Sequence, residues 1–258
     1  MKFLLAALNA KYIHSNPALY SLRSYAAEHH EELARDVEIA EYTINQPLEE
    51  ILADIYGRKP DAAAFSCYIW NWKLIRELIG ELHQVMPDLP IWLGGPEVSF
   101  DAEQILEEYP FLAGIMVGEG EATFSELLGF YEKRSSGRYS RQLQMQIAAF
   151  WPGAVSQAGL DSIKGIVFRD PVSRKIVRTD ERELTDISAQ PFFYENMEGF
   201  ENRIVYYESS RGCPFRCSYC LSSIDKTVRL RDLSLVKKEL QFFLGKKSAA
   251  GQIHRPDV

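Results

Sequence analysis

The 258-residue sequence has no long apolar stretch: no window holds the ~18 uninterrupted apolar residues a membrane span needs, and Met1 to Leu8 is too short for a secretory apolar segment. Cysteine is scarce, with four residues, which excludes a disulfide scaffold. There is no internal repeat, and no G-x-G-x-x-G follows the first apolar run, so a dinucleotide site is not indicated. An apolar share of 46% and a charged share of 25% exclude collagen-like and low-complexity chains. The expectation is a cytoplasmic globular protein with one large domain or two ordinary ones, acting without a membrane.

Basic residues are short in one part only. Residues 1–200 carry 18 Lys+Arg against 30 Asp+Glu, whereas residues 201–258 carry 11 against 6. An acidic bulk argues against general nucleic-acid binding, and the basic end points to separate work near an anionic ligand or to a solvated helix face.

What is present is a run of alternating strand and helix patterns. Phe3 to Leu8, Ala62 to Cys67, Ile91 to Leu93 and Gly114 to Val117 are apolar, as in strands buried on both faces, and Val37 to Tyr42 alternates like an edge strand. Between Asn71 and Pro87, Trp72, Ile75, Leu78, Ile79, Leu82 and Val85 recur at helical spacing. Asn16 before Pro17, and Asp101 before Gln104, read as helix starts. Five strands with helices between them predict an α/β fold, a doubly wound parallel sheet in flavodoxin-like order.

Residues 136–202 read as a linker carrying a β-hairpin, with Gly165 to Asp170 and Lys175 to Arg178 as its strands. A further strand, Arg203 to Glu208, runs into Arg211-Gly212-Cys213-Pro214-Phe215-Arg216-Cys217-Ser218-Tyr219-Cys220, which places three of the four cysteines within eight residues. Three soft thiolates spaced C-x3-C-x2-C suit an iron–sulfur cluster and leave one iron without a protein ligand. Zinc normally wants four ligands; the one remaining cysteine, Cys67, lies far upstream in an expected buried strand and His254 in a stretch without periodicity, so a zinc-binding interaction protein is the weaker alternative.

Cys213-x3-Cys217-x-Tyr219-Cys220 after a strand resembles the signature of radical S-adenosylmethionine (radical SAM) enzymes. The resemblance implies that Cys213, Cys217 and Cys220 hold a [4Fe–4S] cluster, with Tyr219 beside it. It also implies that S-adenosylmethionine chelates the open iron and is cleaved by one electron to a 5′-deoxyadenosyl radical. A reductant such as flavodoxin or ferredoxin would supply that electron, and the protein would supply position and shielding.

In open α/β sheets ligands sit beyond the carboxyl ends of the strands. Four loops there stand out: Asn9 to Asn16 with His14; Tyr68 to Trp72 with Trp70; Gly94-Gly95-Pro96-Glu97; and Gly118-Glu119-Gly120-Glu121. Turn chemistry alone explains glycine pairs equally well. Placed before the cysteine motif, however, residues 1–135 resemble the cobalamin-binding domain of one large subclass of radical SAM enzymes. That likeness implies cobalamin contacts from Asn9, His14, Tyr68, Trp70, Gly94, Gly95, Pro96, Glu97, Gly118, Glu119, Gly120 and Glu121. No D-x-H-x-x-G is present, so a lower axial histidine from that loop is not expected.

Residues 203–258 then read as the start of a radical SAM (β/α) barrel. They supply one helix, Leu233 to Leu244, with Leu233, Val236, Leu240 and Phe243 as its apolar stripe, and lose periodicity where a second strand is expected. A closed barrel takes ~250 residues, so the expectation is a truncated or frameshifted, inactive form with a poorly ordered tail. The functional expectation is a cobalamin-dependent radical SAM enzyme, with a methyltransferase as one candidate, or else a non-catalytic corrinoid-binding module.

Overall fold

The computed structural model describes residues 1–135, 159–170, 173–195, 197–215, 217–218, 220, 227–246 and 253–254. In its first half each strand is followed by one or two helices. The strands are β1 (Phe3–Asn9), β2 (Val37–Thr43), β3 (Ala62–Ser66), β4 (Ile91–Gly94) and β5 (Gly114–Met116). The helices are α1 (Pro17–His29), α2 (Glu31–Ala34), α3 (Leu48–Arg58), α4 (Trp72–Val85), α5 (Pro96–Ser99), α6 (Ala102–Glu108) and α7 (Gly120–Ser135). The strands lie parallel in the order β2-β1-β3-β4-β5, the flavodoxin-like arrangement the sequence predicts.

Why the central strands read as continuous apolar runs is visible in β1, where all seven residues are buried. Alternate side chains enter opposite layers. Leu4, Ala6 and Leu8 join the core beneath α3 and α4, while Phe3, Leu5 and Ala7 join the one beneath α1 and α7. The edge strand β2 buries only Val37, Ala40 and Tyr42, hence its mixed composition. In α4, Ile75, Leu78, Ile79 and Leu82 are fully buried, whereas Val85 at the last turn is exposed. Asn16 and Asp101 both precede their helices, yet neither side chain caps. Asn16 instead donates from Nδ2 to Ser66 Oγ at 3.0 Å, linking the carboxyl ends of β1 and β3.

The hairpin assigned to a linker is built into the same sheet. Strands β6 (Ile166–Arg169) and β7 (Ile176–Arg178) add antiparallel beyond β5, giving seven strands. Ile166 and Phe168 complete one core layer and Val167 the other.

Beyond the hairpin come β8 (Val205–Tyr206), β9 (Ser210–Arg211), β10 (Arg229–Leu230), α8 (Leu233–Gly245) and β11 (Ile253–His254). β9 and β10 are antiparallel; β11 lies parallel to β8, so β8, α8 and β11 form one β-α-β unit. Ile253 and His254 thus pair as a strand where the sequence pattern shows none, because the backbone rather than the side chains makes the ladder. α8 also has partners that the sequence did not reveal. Phe243 is buried among Tyr194, Phe200, Val205 and Tyr207, with Phe192, Val236 and Leu240 packed around them. The rings of Phe192 and Tyr194 meet Phe243 edge-on at 5.4 and 5.2 Å. Leu233, expected on this stripe, is exposed.

Candidate cofactor site

The loops after β1, β3, β4 and β5 share the carboxyl edge of the sheet, and large apolar side chains are left in solvent there. Tyr12 and Ile13 follow β1, Ile69 and Trp70 follow β3, and Phe100 follows α5, all exposed. Trp70 is half in water yet fixed, its ring stacked on Tyr68 at 4.4 Å and 13°. Burial raises the Tyr68 phenol above its ordinary pKa, so it stays neutral. Asn71, fully buried, anchors this loop: Oδ1 accepts from Tyr68 N–H, and Nδ2 donates to the carbonyls of Leu8 and Ser66. Exposed aromatics on a rigid backbone make a platform for a flat apolar ligand.

Gly95 and Gly118 differ in what requires them. Gly95 has φ +105°, and a Cβ there would stand 2.5 Å from the Cys67 carbonyl, so the Gly94-Gly95-Pro96-Glu97 loop uses its glycine to pass the β3 end. Glu97 N–H reaches back to the same carbonyl. Cys67 is buried, and burial raises its thiol pKa far above normal, which leaves it inert. Gly118 has φ +79°, and the place a Cβ would take has no atom within 4 Å, so open space adjoins the β5 loop.

Several residues expected to face a ligand are turned to protein partners. Asn9 donates to the His14 carbonyl at 3.0 Å and to Glu41 Oε1 at 2.9 Å. His14 Nδ1 is hydrogen-bonded to the Tyr206 hydroxyl, with the two rings stacked. Glu119 and Glu121 pair with arginines of the second half: Arg211 reaches Glu121 at 2.9 Å and Glu119 at 3.3 Å, and Arg229 pairs with Glu119. Burial raises the Glu119 pKa, but Arg229, Arg211 and the Thr185 N–H outweigh it and hold the carboxyl below its usual range. For Arg211, burial favours the neutral form, and Glu208 and Glu121 overcome it.

The hub that no sequence pattern announced is Glu41, near the carboxyl end of β2. It accepts from Asn9 Nδ2, Asn16 N–H at 2.6 Å and the Tyr20 hydroxyl at 2.6 Å, and it pairs with Arg203. An acidic residue near a parallel strand's carboxyl end is the signal that was available. Through Glu41 and His14 the β1 loop grips Arg203 and Tyr206, directly ahead of the cysteines.

Cys213, Cys217 and Cys220 are half-buried, and none is in a disulfide. Cys220 N–H donates to the Cys217 carbonyl at 3.2 Å, so these two cysteines bracket one turn. Among the described residues no three His, Cys, Asp or Glu side chains already converge as a metal site. Tyr219 lies outside the described residues. The donor set fits a cluster: three soft thiols, each partly exposed, within eight residues of chain.

Residues 4–128 match the family described as "B12 binding domain". That match takes in the strands β1 to β5 and the helices between them, just under half of the chain. The chain is also 26% identical over 233 residues to the cobalamin-dependent radical SAM methyltransferase TokK of Streptomyces tokunonensis, covering 86% of this chain and 31% of that protein. It is 27% identical over 206 residues to the anaerobic magnesium-protoporphyrin IX monomethyl ester cyclase of Cereibacter sphaeroides, covering 79% and 31%. The solved structure of the cobalamin-dependent S-adenosylmethionine radical enzyme OxsB, with aqua-cobalamin and S-adenosylmethionine bound, superimposes with a TM-score of 0.67 at 22% identity. That match covers 92% of this chain and 31% of OxsB, and at this identity it speaks for the fold. The chain thus spans about a third of the length of these relatives. No helix among the described residues is long and apolar enough to cross a membrane.

Proposed function

We propose that this chain supplies the cobalamin domain and the cluster-binding loop of a cobalamin-dependent radical SAM enzyme, with methyl transfer to an unreactive carbon as its reaction. A single observation carries the reading: the loop holding Cys213, Cys217 and Cys220 is tied by Arg211 and Arg229 to the β5 loop of a B12-binding domain. Two cofactor-binding elements are therefore built face to face. The relative TokK is named as a methyltransferase and the Cereibacter protein as a cyclase, so methyl transfer and ring closure are the two reaction classes to separate.

The residues take distinct roles in this reading. Trp70 stacked on Tyr68 would seat the corrin, and the open space at Gly118 would let the β5 loop approach a ligand closely. With its Nδ1 engaged by Tyr206, His14 would hold the β1 loop against β8. Cys213, Cys217 and Cys220 would bind a [4Fe–4S] cluster, drawn together as it forms, since ligand convergence commonly accompanies metal binding. When bound, the cluster and S-adenosylmethionine supply one-electron radical chemistry and cobalamin supplies a methyl carrier. A flavodoxin- or ferredoxin-type protein would serve as reductant.

Anaerobic reconstitution with ferrous iron, sulfide and hydroxocobalamin tests this. The expected result is about four irons per chain with a broad visible absorbance, cobalamin retained through gel filtration, and no iron in a variant with serine at positions 213, 217 and 220. Cobalamin retention with no iron would make the chain a corrinoid-binding module. One tightly held zinc and no iron would make it a zinc-binding interaction protein.

A further inference from the structure

All three clustered cysteines lie between β9 and β10, so the loop that carries them, residues 212–228, has Arg211 and Arg229 as its two stems. These arginines are direct partners across the antiparallel ladder. Like charges facing each other across a ladder repel, and the pair is about four-fifths buried, where screening is weak. An anion that bridges both guanidiniums offsets this repulsion and adds to the backbone pairing of the two stems. Glu119 is that anion: Oε1 lies 3.3 Å from Arg211 Nη1 and also pairs with Arg229 Nη2, while Oε2 accepts from Arg229 Nη1 at 3.1 Å. The carboxylate is itself fixed by the Thr185 N–H at 2.8 Å, and Arg229 donates to the Thr185 carbonyl at 2.6 Å. Glu121, held by Ser21, and Glu208 complete the charge around Arg211 alone. Among the described residues these two contact one stem and Glu119 contacts both.

We infer that Glu119, from the β5 loop of the B12-binding domain, is a positioning residue that clamps the two stems of the cysteine loop shut. The clamp stands on the ion pairs alone; only its consequence for a cluster rests on the function proposed above. Its physical effect is to reduce the spread of the thiols before any metal arrives, which lowers the ordering cost of binding. It also makes the geometry of the cysteine loop depend on the loop beside Gly118.

Pulse alkylation of the full chain with iodoacetamide, read cysteine by cysteine by peptide mass mapping, tests the clamp without any cofactor. Glu119→Gln is expected to raise the labelling rate of the half-buried Cys213, Cys217 and Cys220 about twofold to threefold, with buried Cys67 still protected. Arg229→Gln opens the same stem from the other strand and is expected to act alike. Glu103→Gln, which removes a carboxylate paired to Arg178 elsewhere on the sheet, is expected to change nothing. The inference is overturned if the three cysteines label at the wild-type rate in both stem variants, or if Cys67 opens in step with them in both. In parallel, Glu119→Gln is expected to alter the electron paramagnetic resonance line of a reduced cluster. Failure of the wild-type chain to take up iron would sink the cluster reading and leave the labelling to judge the clamp.

Discussion

The two halves of the molecule are held by different forces. From β1 to α7 the sheet is sandwiched between two large apolar layers, in which side chains such as Trp92, Phe3, Phe65 and Phe124 are fully buried, and its ion pairs, such as Arg35–Glu31, are mostly on the outside. From Tyr194 to α8 the core is a small aromatic cluster, and carboxylates and guanidiniums sit within the structure: Arg231 with Glu239, both side chains under a tenth exposed, and Arg211 and Arg229 with Glu119. Burial of hydrocarbon is non-directional and summed over many side chains, so it makes a robust platform. Ion pairs hold only at one geometry, so they suit a segment that must place three thiols. The contrast separates a scaffold from a positioned loop.

The comparison breaks first if core truncation does not dominate in the scaffold. Phe65→Ala is expected to cost about 4 kcal/mol in urea denaturation, because Phe65 fills the layer beneath α4. In the second half the matching experiment removes a charge. Glu239→Ala leaves the Arg231 guanidinium buried and takes the acceptor from the Tyr207 hydroxyl at 2.5 Å; a loss of about 3 kcal/mol is expected, confined to the near-ultraviolet signal of the aromatic cluster.

Acid should sharpen the difference. Glu119 has a folded pKa below its unfolded value, so its contribution is present above the unfolded carboxyl range of about 4.3 and is lost as pH falls through the folded value. Alkylation of Cys213, Cys217 and Cys220 should therefore accelerate on acidification below about pH 4, after correction for thiolate fraction, before Cys67 is exposed. The smallest effect belongs to the scaffold surface. Arg35→Ala removes a solvent-exposed i,i+4 pair and should change stability by at most about 0.5 kcal/mol, within the error of a melting experiment.

Legibility in the sequence followed the range of the interactions. The five parallel strands and α4 could be read because burial on two faces leaves continuous apolar runs and burial on one face leaves a 3.6-residue period. The cysteine loop could be read because its ligand spacing is local. Glu119 and Glu121 stood out through their flanking glycines, but their partners did not, since Arg229 lies 110 residues from Glu119 and no local pattern couples them. Glu41 and Arg203, 162 residues apart, were missed for the same reason. The fate of α8 was likewise hidden: Phe192 and Tyr194 cover it from a segment with no periodicity of its own.

Composition and spacing by themselves determined an α/β sheet with its loops at one edge and a set of three thiols within one short segment. Those properties are fixed by neighbours along the chain. Only the tertiary structure decided that the β5 loop meets the stems of the cysteine loop and that one carboxylate serves two arginines. The reason is physical: a charge is neutralised by whatever folding brings within a few ångströms, and the linear order of residues does not record that distance.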